Sequence, residues 1–456
     1  MTTLGLSMIV RDAARDLPRC LDSVRSIVDE MVIADTGSRD ASREVARSFG
    51  ARTMDISWND DFAEARNQCL AAMRSDWVLV LDADEMLDEN DGTRVRGLLN
   101  TGGPAGYQVT IRNFVLTLQD RVWDKAALPN DTRLAAGRRY PAYVDHHNVR
   151  LFRNEPAIRF RGRVHESVGP VIAEQKRAIG AANFPIYHFG LAAAGEERAA
   201  KNRYYRELGR QKLREMPRDA QAHLELGLVE MDNFGDVAEA LRLFREACRL
   251  NPRFGAAWFF QGVARIRQND FSGALDCLRQ AEEQGHRTAL VAETRGDALY
   301  NGGAYRDAAT AYRTALRRDP GNPWLTSKLG LALVRCGEAL PGLRHLLVAS
   351  EQRPEAPELY DRKVFALLAL DRCGEAASAM EEKLAKVAAP SANDFLRTAS
   401  LWSKSGEWRR AASVVEEGLR RFPEDKSLLS ARLELSFHVS QPNEGEAVSR
   451  PAPSTR

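Results

Sequence analysis

The sequence predicts two architectures in one chain: an α/β domain on a mainly parallel, doubly wound sheet, followed by an all-α solenoid of repeated helix pairs. Three observations carry this. Short apolar runs alternate with amphipathic stretches over the first 90 residues, helix formers dominate from about Glu196 onward, and glycines recur in that second part at a fixed period. At 456 residues the chain has material for about two to four domains.

Leu4 to Val10 reads as a strand and Leu17 to Val28 as a helix, Met31 to Ala34 as a strand and Ala41 to Phe49 as a helix. Thr53-Met54 marks a weak third strand, Ala63 to Met73 a helix and Trp77 to Leu81 a strand. Elements alternating at this length imply a parallel sheet covered on both faces. From Tyr107 to Phe189 the pattern loosens into short β-rich pieces such as Tyr107-Gln108-Val109-Thr110-Ile111 and Val149-Arg150-Leu151-Phe152. Many arginines and four of the eight histidines lie here: His146, His147, His165 and His188. His146 and His147 read as loop residues.

In the second part Gly227, Gly262, Gly296 and Gly330 follow at intervals of 35, 34 and 34 residues, the tetratricopeptide period. Gly296, Ala308, Tyr312, Ala315 and Pro320 fall where small residues let paired helices approach and proline ends the second helix. About six units stack in this way, and the concave face of such a solenoid is usually a binding surface. The expected organisation is an α/β domain over 1–195, a linking helix over 196–218, the solenoid over 219–439, and a disordered tail over 440–456, rich in Pro, Ser and Glu.

Composition excludes several functions. Lys plus Arg number 65 against 63 Asp plus Glu, a net charge of +2, which argues against a nucleic-acid partner held by bulk charge. The six cysteines are too scattered for zinc spacing or a disulfide framework, which favours a reducing compartment. No basic segment with a long apolar stretch opens the chain and no run of about 18 apolar residues occurs, so a cytoplasmic location without a membrane span is expected.

Ligands of open α/β sheets sit outside the carboxyl ends of the strands. Those ends hold Arg11 and Asp12, then Asp35 to Asp40, then Asp82-Ala83-Asp84-Glu85. Residues two apart on an extended chain point the same way, so Asp82 and Asp84 would face one cleft. Adjacent carboxylates repel unless a cation or proton intervenes, and Mg²⁺ or Mn²⁺ prefers oxygen ligands. An acidic surface turn is the competing explanation, since residues 82–91 hold six acids. Ser38 and Asp40 suit helix capping, and Arg66 alone would be an exposed helix residue.

These residues in this order resemble the family 2 glycosyltransferases of the GT-A fold, a Rossmann-like arrangement. The likeness runs from about Leu4 to Asp88 through Leu6-Ser7-Met8-Ile9-Val10-Arg11, Val32-Ile33-Ala34-Asp35-Thr36-Gly37-Ser38, Asp61-Phe62-Ala63-Glu64-Ala65-Arg66-Asn67 and Leu79-Val80-Leu81-Asp82-Ala83-Asp84-Glu85. With the repeats behind it, the chain resembles the bacterial branch fused to tetratricopeptide repeats, which includes peptide S-glycosyltransferases. The resemblance implies that Asp35 contacts the nucleobase, Arg66 the nucleotide, Asp82 the nucleotide-sugar, and Asp84 a divalent metal on the diphosphate. The branch also carries a stretch ending in G-x-V-H-E, here Gly162-Arg163-Val164-His165-Glu166, and an H-[FY]-G element, here His188-Phe189-Gly190. Where the branch reads Lys-Asn-Glu after the first strand this chain has Arg11-Asp12-Ala13, so an acid expected beside the nucleotide is missing and Arg11 is left as the binding candidate.

An inverting transferase needs a base for the acceptor and a cation for the leaving phosphate. Glu166 is the candidate base, His165 its orienting neighbour, and His188 a second metal ligand. Arg150 and Arg153 could meet phosphate or simply be solvated. The expectation is thus a metal-dependent glycosyltransferase, using Mn²⁺ or Mg²⁺ and a nucleotide-sugar donor, whose repeats hold the acceptor or a protein partner. The alternative is a non-catalytic repeat scaffold with a transferase-like domain. A nucleotidyltransferase is set aside, because residues 4–20 hold one glycine and no phosphate loop.

Overall fold

A computed structural model of the protein describes residues 2–99, 102–117, 121–122, 125–190 and 196–439. The tail expected to be disordered, 440–456, lies outside the described residues. The chain divides into two compact units, Met1–Pro252 and Arg253–Arg456.

In the first unit β1 (Leu4–Val10), β2 (Glu30–Asp35), β3 (Arg52–Asp55) and β4 (Trp77–Val80) form a parallel half-sheet in the order β3-β2-β1-β4. The helices α1 (Leu17–Val24), α2 (Ser42–Ser48) and α3 (Phe62–Ala72) connect them. Successive strand residues point to opposite faces. Leu4, Leu6, Met8, Val10, Trp77 and Leu79 pack with Leu17, Leu21 and Val24 of α1, while Val78, Val80, Val32 and Ala34 pack with Cys69 and Leu70 of α3. Both faces are therefore dry, which is why these strands read as nearly continuous apolar runs.

Beyond β4 come β5 (Glu85–Met86), α4 (Gly92–Leu99), β6 (Gly106–Val115), the short β7 (Arg121–Val122), β8 (Lys125–Ala126) and β9 (Leu128–Pro129), then β10 (Ala142–Arg153), α5 (Gly169–Glu174) and β11 (Ile179–His188). The full sheet runs β3-β2-β1-β4-β10-β6-β11-β5, with β9 alongside β10. Strand β10 is antiparallel to both β4 and β6, so the sheet is mixed beyond its parallel half. The pieces expected at Tyr107–Ile111 and Val149–Phe152 belong to long strands, β6 and β10, and His146 and His147 lie within β10 rather than in a loop. Asp145, His146, His147, Asn148 and Arg150 interrupt the apolar alternation of β10 and hide its length.

Three helices of the repeat region belong to this same unit: α6 (Glu196–Glu215), α7 (Ala220–Asn233) and α8 (Val237–Leu250). Arg163 donates to both carboxylate oxygens of Glu215 at 3.0 and 2.9 Å, and Lys212 Nζ donates to the Val164 carbonyl at 3.2 Å. Tyr204 of α6 donates to Asp60 at 2.6 Å.

Among its described residues the second unit is all helical, from α9 (Gly255–Arg267) through α10 (Phe271–Glu283), α11 (Ala289–Asn301), α12 (Tyr305–Arg318), α13 (Pro323–Arg335), α14 (Ala339–Gln352), α15 (Pro357–Leu368), α16 (Cys373–Lys386), α17 (Ala392–Lys404) and α18 (Trp408–Arg421) to α19 (Lys426–Val439). The periodic glycines are points of close approach: a Cβ at Gly296 would stand 2.4 Å from the Tyr312 ring, and one at Gly330 2.8 Å from the Gly342 carbonyl oxygen. A second period sits in the turns between paired helices. Gly235, Asn269, Gly303, Gly337, Asp371 and Gly406 all have positive φ and succeed one another every 34 residues, with one step of 35. These are the residue types that tolerate the left-handed region. All six cysteines are free, and among the described residues no helix is long and apolar enough to cross a membrane.

Candidate active site

The strand ends of the parallel half-sheet meet β10, β11 and the loop around residue 165. Asp61 accepts from the Glu64 amide at 2.9 Å and starts α3, which places Arg66 one turn inside the helix. Arg66 is buried and forks between two acids: Nη2 donates to Asp82 Oδ1 at 2.7 Å and Nε to Glu166 Oε1 at 2.5 Å. Its Nη1 is buried with no protein partner.

Strand β4 ends at Val80, so Asp82 and Asp84 lie in a turn and not on an extended strand. Their side chains consequently take different partners, contrary to the expectation of one shared face. Asp82 Oδ2 accepts from Arg150 Nη2 at 3.1 Å, and the same nitrogen donates to Glu85 Oε1 at 3.1 Å. Arg150 reaches them from an irregularity in β10, where the register with β6 shifts between Val149 and Leu151. A residue at such a shift is re-aimed, and strand rims next to sites often carry one. Burial alone would raise the Asp82 carboxyl, but Arg66 and Arg150 hold it far below the usual carboxylate range. Arginine thus supplies the cations that Asp82 requires. Buried Glu85 is pushed up to about 7, by desolvation first, with Arg150 opposing and the charge of Asp82 adding.

Asp84 turns to β11. Its Oδ2 lies 3.3 Å from His188 Nε2, and its carbonyl accepts from the Phe189 amide at 3.1 Å. A Cβ at Gly190 would stand 2.1 Å from Asp84 Oδ2 and 2.7 Å from His188 Nε2, so glycine keeps the approach to this pair open. Burial is the largest influence on the Asp84 carboxyl and raises it, but the hydrogen bond and the charge of a protonated His188 together lower the group overall. Among the described residues no cluster of three or more such side chains forms. One carboxylate and one imidazole nevertheless fit a divalent cation that takes its remaining ligands from a diphosphate and water, as substrate-bridging cations do.

Asp35 is buried at the end of β2. Its Oδ1 accepts from the Gly37 and Ser38 amides at 2.8 and 2.7 Å, and its Oδ2 is buried with no protein partner. Ser38 accepts from the Asp12 amide and Asp40 from those of Ser42 and Ala14, so both pin the loop, but neither is the cap expected of them: the N-cap of α2 is Ala41, without a side-chain bond. Arg11 is exposed at the end of β1. His165, with φ of +56°, is exposed and lines a small cavity with Val164, Tyr205, Lys212 and Leu226.

The structure therefore brings Arg66, Asp82, Glu166, Asp84 and His188 to one edge. It adds two residues that sequence reasoning missed and gives Arg150 a different role. Arg150 is a buried partner of two acids instead of a solvated or phosphate-facing arginine, and Asn113 of β6 accepts from His188 Nδ1 at 2.7 Å. Tyr205 of α6 stacks on Phe62 at 6.0 Å, and burial together with the charges of Asp82, Glu166 and Asp84 raises its phenol well above the usual value. No local signal marks these three, because each comes from a distant segment.

A parallel half-sheet with an acid-rich carboxyl edge, followed by helix pairs of period 34, defines a glycosyltransferase-type domain with tetratricopeptide repeats, and the comparisons agree. The glycosyl transferase family 2 model matches residues 7–160, and a tetratricopeptide repeat model matches 190–253, 232–286, 261–323 and 293–338. A TPR repeat-containing protein of Synechococcus elongatus is 30% identical over 323 residues, which cover 69% of this chain and 72% of that relative. The chain belongs to the family 2 glycosyltransferases that carry C-terminal tetratricopeptide repeats. The SPbeta prophage-derived glycosyltransferase SunS of Bacillus subtilis is 20% identical over 166 residues, 36% of this chain and 34% of its own length, so the match spans about a third of that relative. Among solved structures, PilW, a type IV pilus biogenesis factor, is 16% identical with a TM-score of 0.39, covering 46% of this chain and 97% of that one.

Proposed function

We propose that this chain moves a sugar from a nucleotide-sugar donor to an acceptor, a peptide or protein held partly by the helical repeats, with inversion at the anomeric carbon and a divalent cation, Mn²⁺ or Mg²⁺. The observation that carries the proposal is the pairing of Asp84 with His188 beside the chain Asp82, Arg66 and Glu166 at the carboxyl edge of the sheet. Asp35 Oδ2, a buried acceptor without a protein donor, is suited to a nucleobase N–H, and exposed Arg11 to the nucleotide. Asp82, fixed by two arginines, is held ready to accept from sugar hydroxyls. When bound between Asp84 and His188, the cation would neutralise charge developing on the leaving diphosphate.

Glu166 then serves the acceptor. Arg66 holds Oε1, while Oε2 has no protein partner among the described residues and is the oxygen that takes the acceptor's proton as the new bond to the anomeric carbon forms and the diphosphate leaves with its electron pair. Exposed His165 orients the incoming acceptor. The test is thermal unfolding with a panel of nucleoside diphosphates and their sugars, with and without Mn²⁺, on wild type and Asp84→Ala. A ligand that binds only the native state raises the midpoint. One nucleotide giving a Mn²⁺-dependent rise that Asp84→Ala abolishes is the expected result. A folded protein that responds to none of the panel would refute the proposal in favour of a repeat scaffold.

A further inference from the structure

We infer that Asn113 is the positioning residue that aims His188 at the cation. The inference rests on the metal dependence proposed above. Asn113 is 3% exposed and pairs in register with His188 across β6 and β11. Its Nδ2 lies 2.9 Å from the Val144 carbonyl oxygen and 3.1 Å from that of Ile111. Carbonyl oxygens only accept, so the amide can sit only with its NH₂ toward them, which leaves Oδ1 facing His188 Nδ1 at 2.7 Å. An amide oxygen also only accepts, so Nδ1 must carry a proton.

It follows that in the neutral ring the lone pair is on Nε2, directed at Asp84 Oδ2 3.3 Å away. Two lone pairs so close call for a cation or a proton beside them. His146 Nδ1, 2.7 Å from Asn113 Nδ2, further ties the same amide to β10. Partners that fix the ring and tautomer of a ligating histidine typically cost about 10–100-fold in metal affinity when removed.

The experiment titrates the full chain with Mn²⁺ alone, reading free Mn²⁺ by electron paramagnetic resonance, in wild type, Asp84→Ala and Asn113→Leu. Asn113→Leu is expected to weaken Mn²⁺ binding about 10–100-fold. Binding that Asp84→Ala abolishes and Asn113→Leu leaves within about twofold, well short of that loss, would overturn the positioning role and leave the metal proposal standing. Absence of Mn²⁺ binding by wild type would overturn both. A second measurement does not depend on the leucine variant folding: imidazole ¹⁵N spectra of metal-free wild type, with His188 identified by its loss in His188→Gln. A proton on Nδ1 of the neutral ring is expected, and one on Nε2 would refute the inference.

Discussion

Replacing Arg66 by leucine removes one guanidinium and leaves two acids to fend for themselves. The Arg66 side chain is 6% exposed, Glu166 12% and Asp82 35%. In Arg66→Leu the Glu166 carboxylate loses its protein partner among the described residues, whereas Asp82 keeps Arg150 at 3.1 Å. Deleting one member of a buried ion pair costs about 3–5 kcal/mol, because the other charge is stranded. Asp82 is wet enough for water to replace much of its loss, so the lower figure applies, about 3 kcal/mol, nearly all of it from Glu166. Neutralising the stranded acid must then recover stability, with Arg66→Leu/Glu166→Gln at least about 1 kcal/mol more stable than Arg66→Leu. Amide hydrogen exchange on peptides covering β1 and β4 reports opening of this unit without requiring the whole chain to unfold in one step. A loss below about 1 kcal/mol in the single variant, far under the cost of a broken buried pair, would refute the reasoning. A double variant less stable than the single would refute it too.

Other consequences are simpler to measure. Gly296→Ala places a Cβ 2.4 Å from the Tyr312 ring and should destabilise by about 1–3 kcal/mol, outweighing the better helix propensity of alanine. Gly97→Ala, at an exposed position of α4 with nothing within 4 Å of the new Cβ, should instead stabilise by about 0.5–1 kcal/mol; equal effects of the two in denaturant unfolding would contradict the packing account. Gly303→Ala, at φ of +82°, should cost about 1–2 kcal/mol, while Asn269→Gly, at +61°, should be nearly neutral. Asp394 is desolvated, which raises its carboxyl, but Lys383 at 2.8 Å and the Ser391 amide hold it below the usual range. A depressed native value means stabilisation that is present above the unfolded value, about pH 4, and lost as pH falls through the native one. Urea midpoints of wild type and Asp394→Asn should therefore differ at neutral pH and converge in acid, and a gap that grows in acid would contradict this ion pair.

Much of this was legible before any coordinates. Both faces of the parallel half-sheet are buried, so β1, β2 and β4 announce themselves as apolar runs. The repeat period is carried by small residues at helix contacts, and a second marker at the same spacing, the left-handed turn residues from Gly235 to Gly406, was available in the sequence and unused. The long pair of β6 and β10 was not legible, because polar residues interrupt its alternation, among them Asn113, His146 and Arg150 beside the site.

The sequence by itself determined the two-part architecture and which strand ends carry acids, since both depend on periodicity and neighbours a few residues apart. Only the tertiary structure decided which acid meets which cation. Arg66 and Glu166 are 100 residues apart, Arg150 and Asp82 are 68 apart, and His188 and Asn113 are 75 apart. Each pair exists because β10 enters antiparallel between β4 and β6, which sets β11 and the loop around 165 beside the strand ends. That register is the sum of many backbone and packing choices along the whole sheet, and no local spacing encodes it.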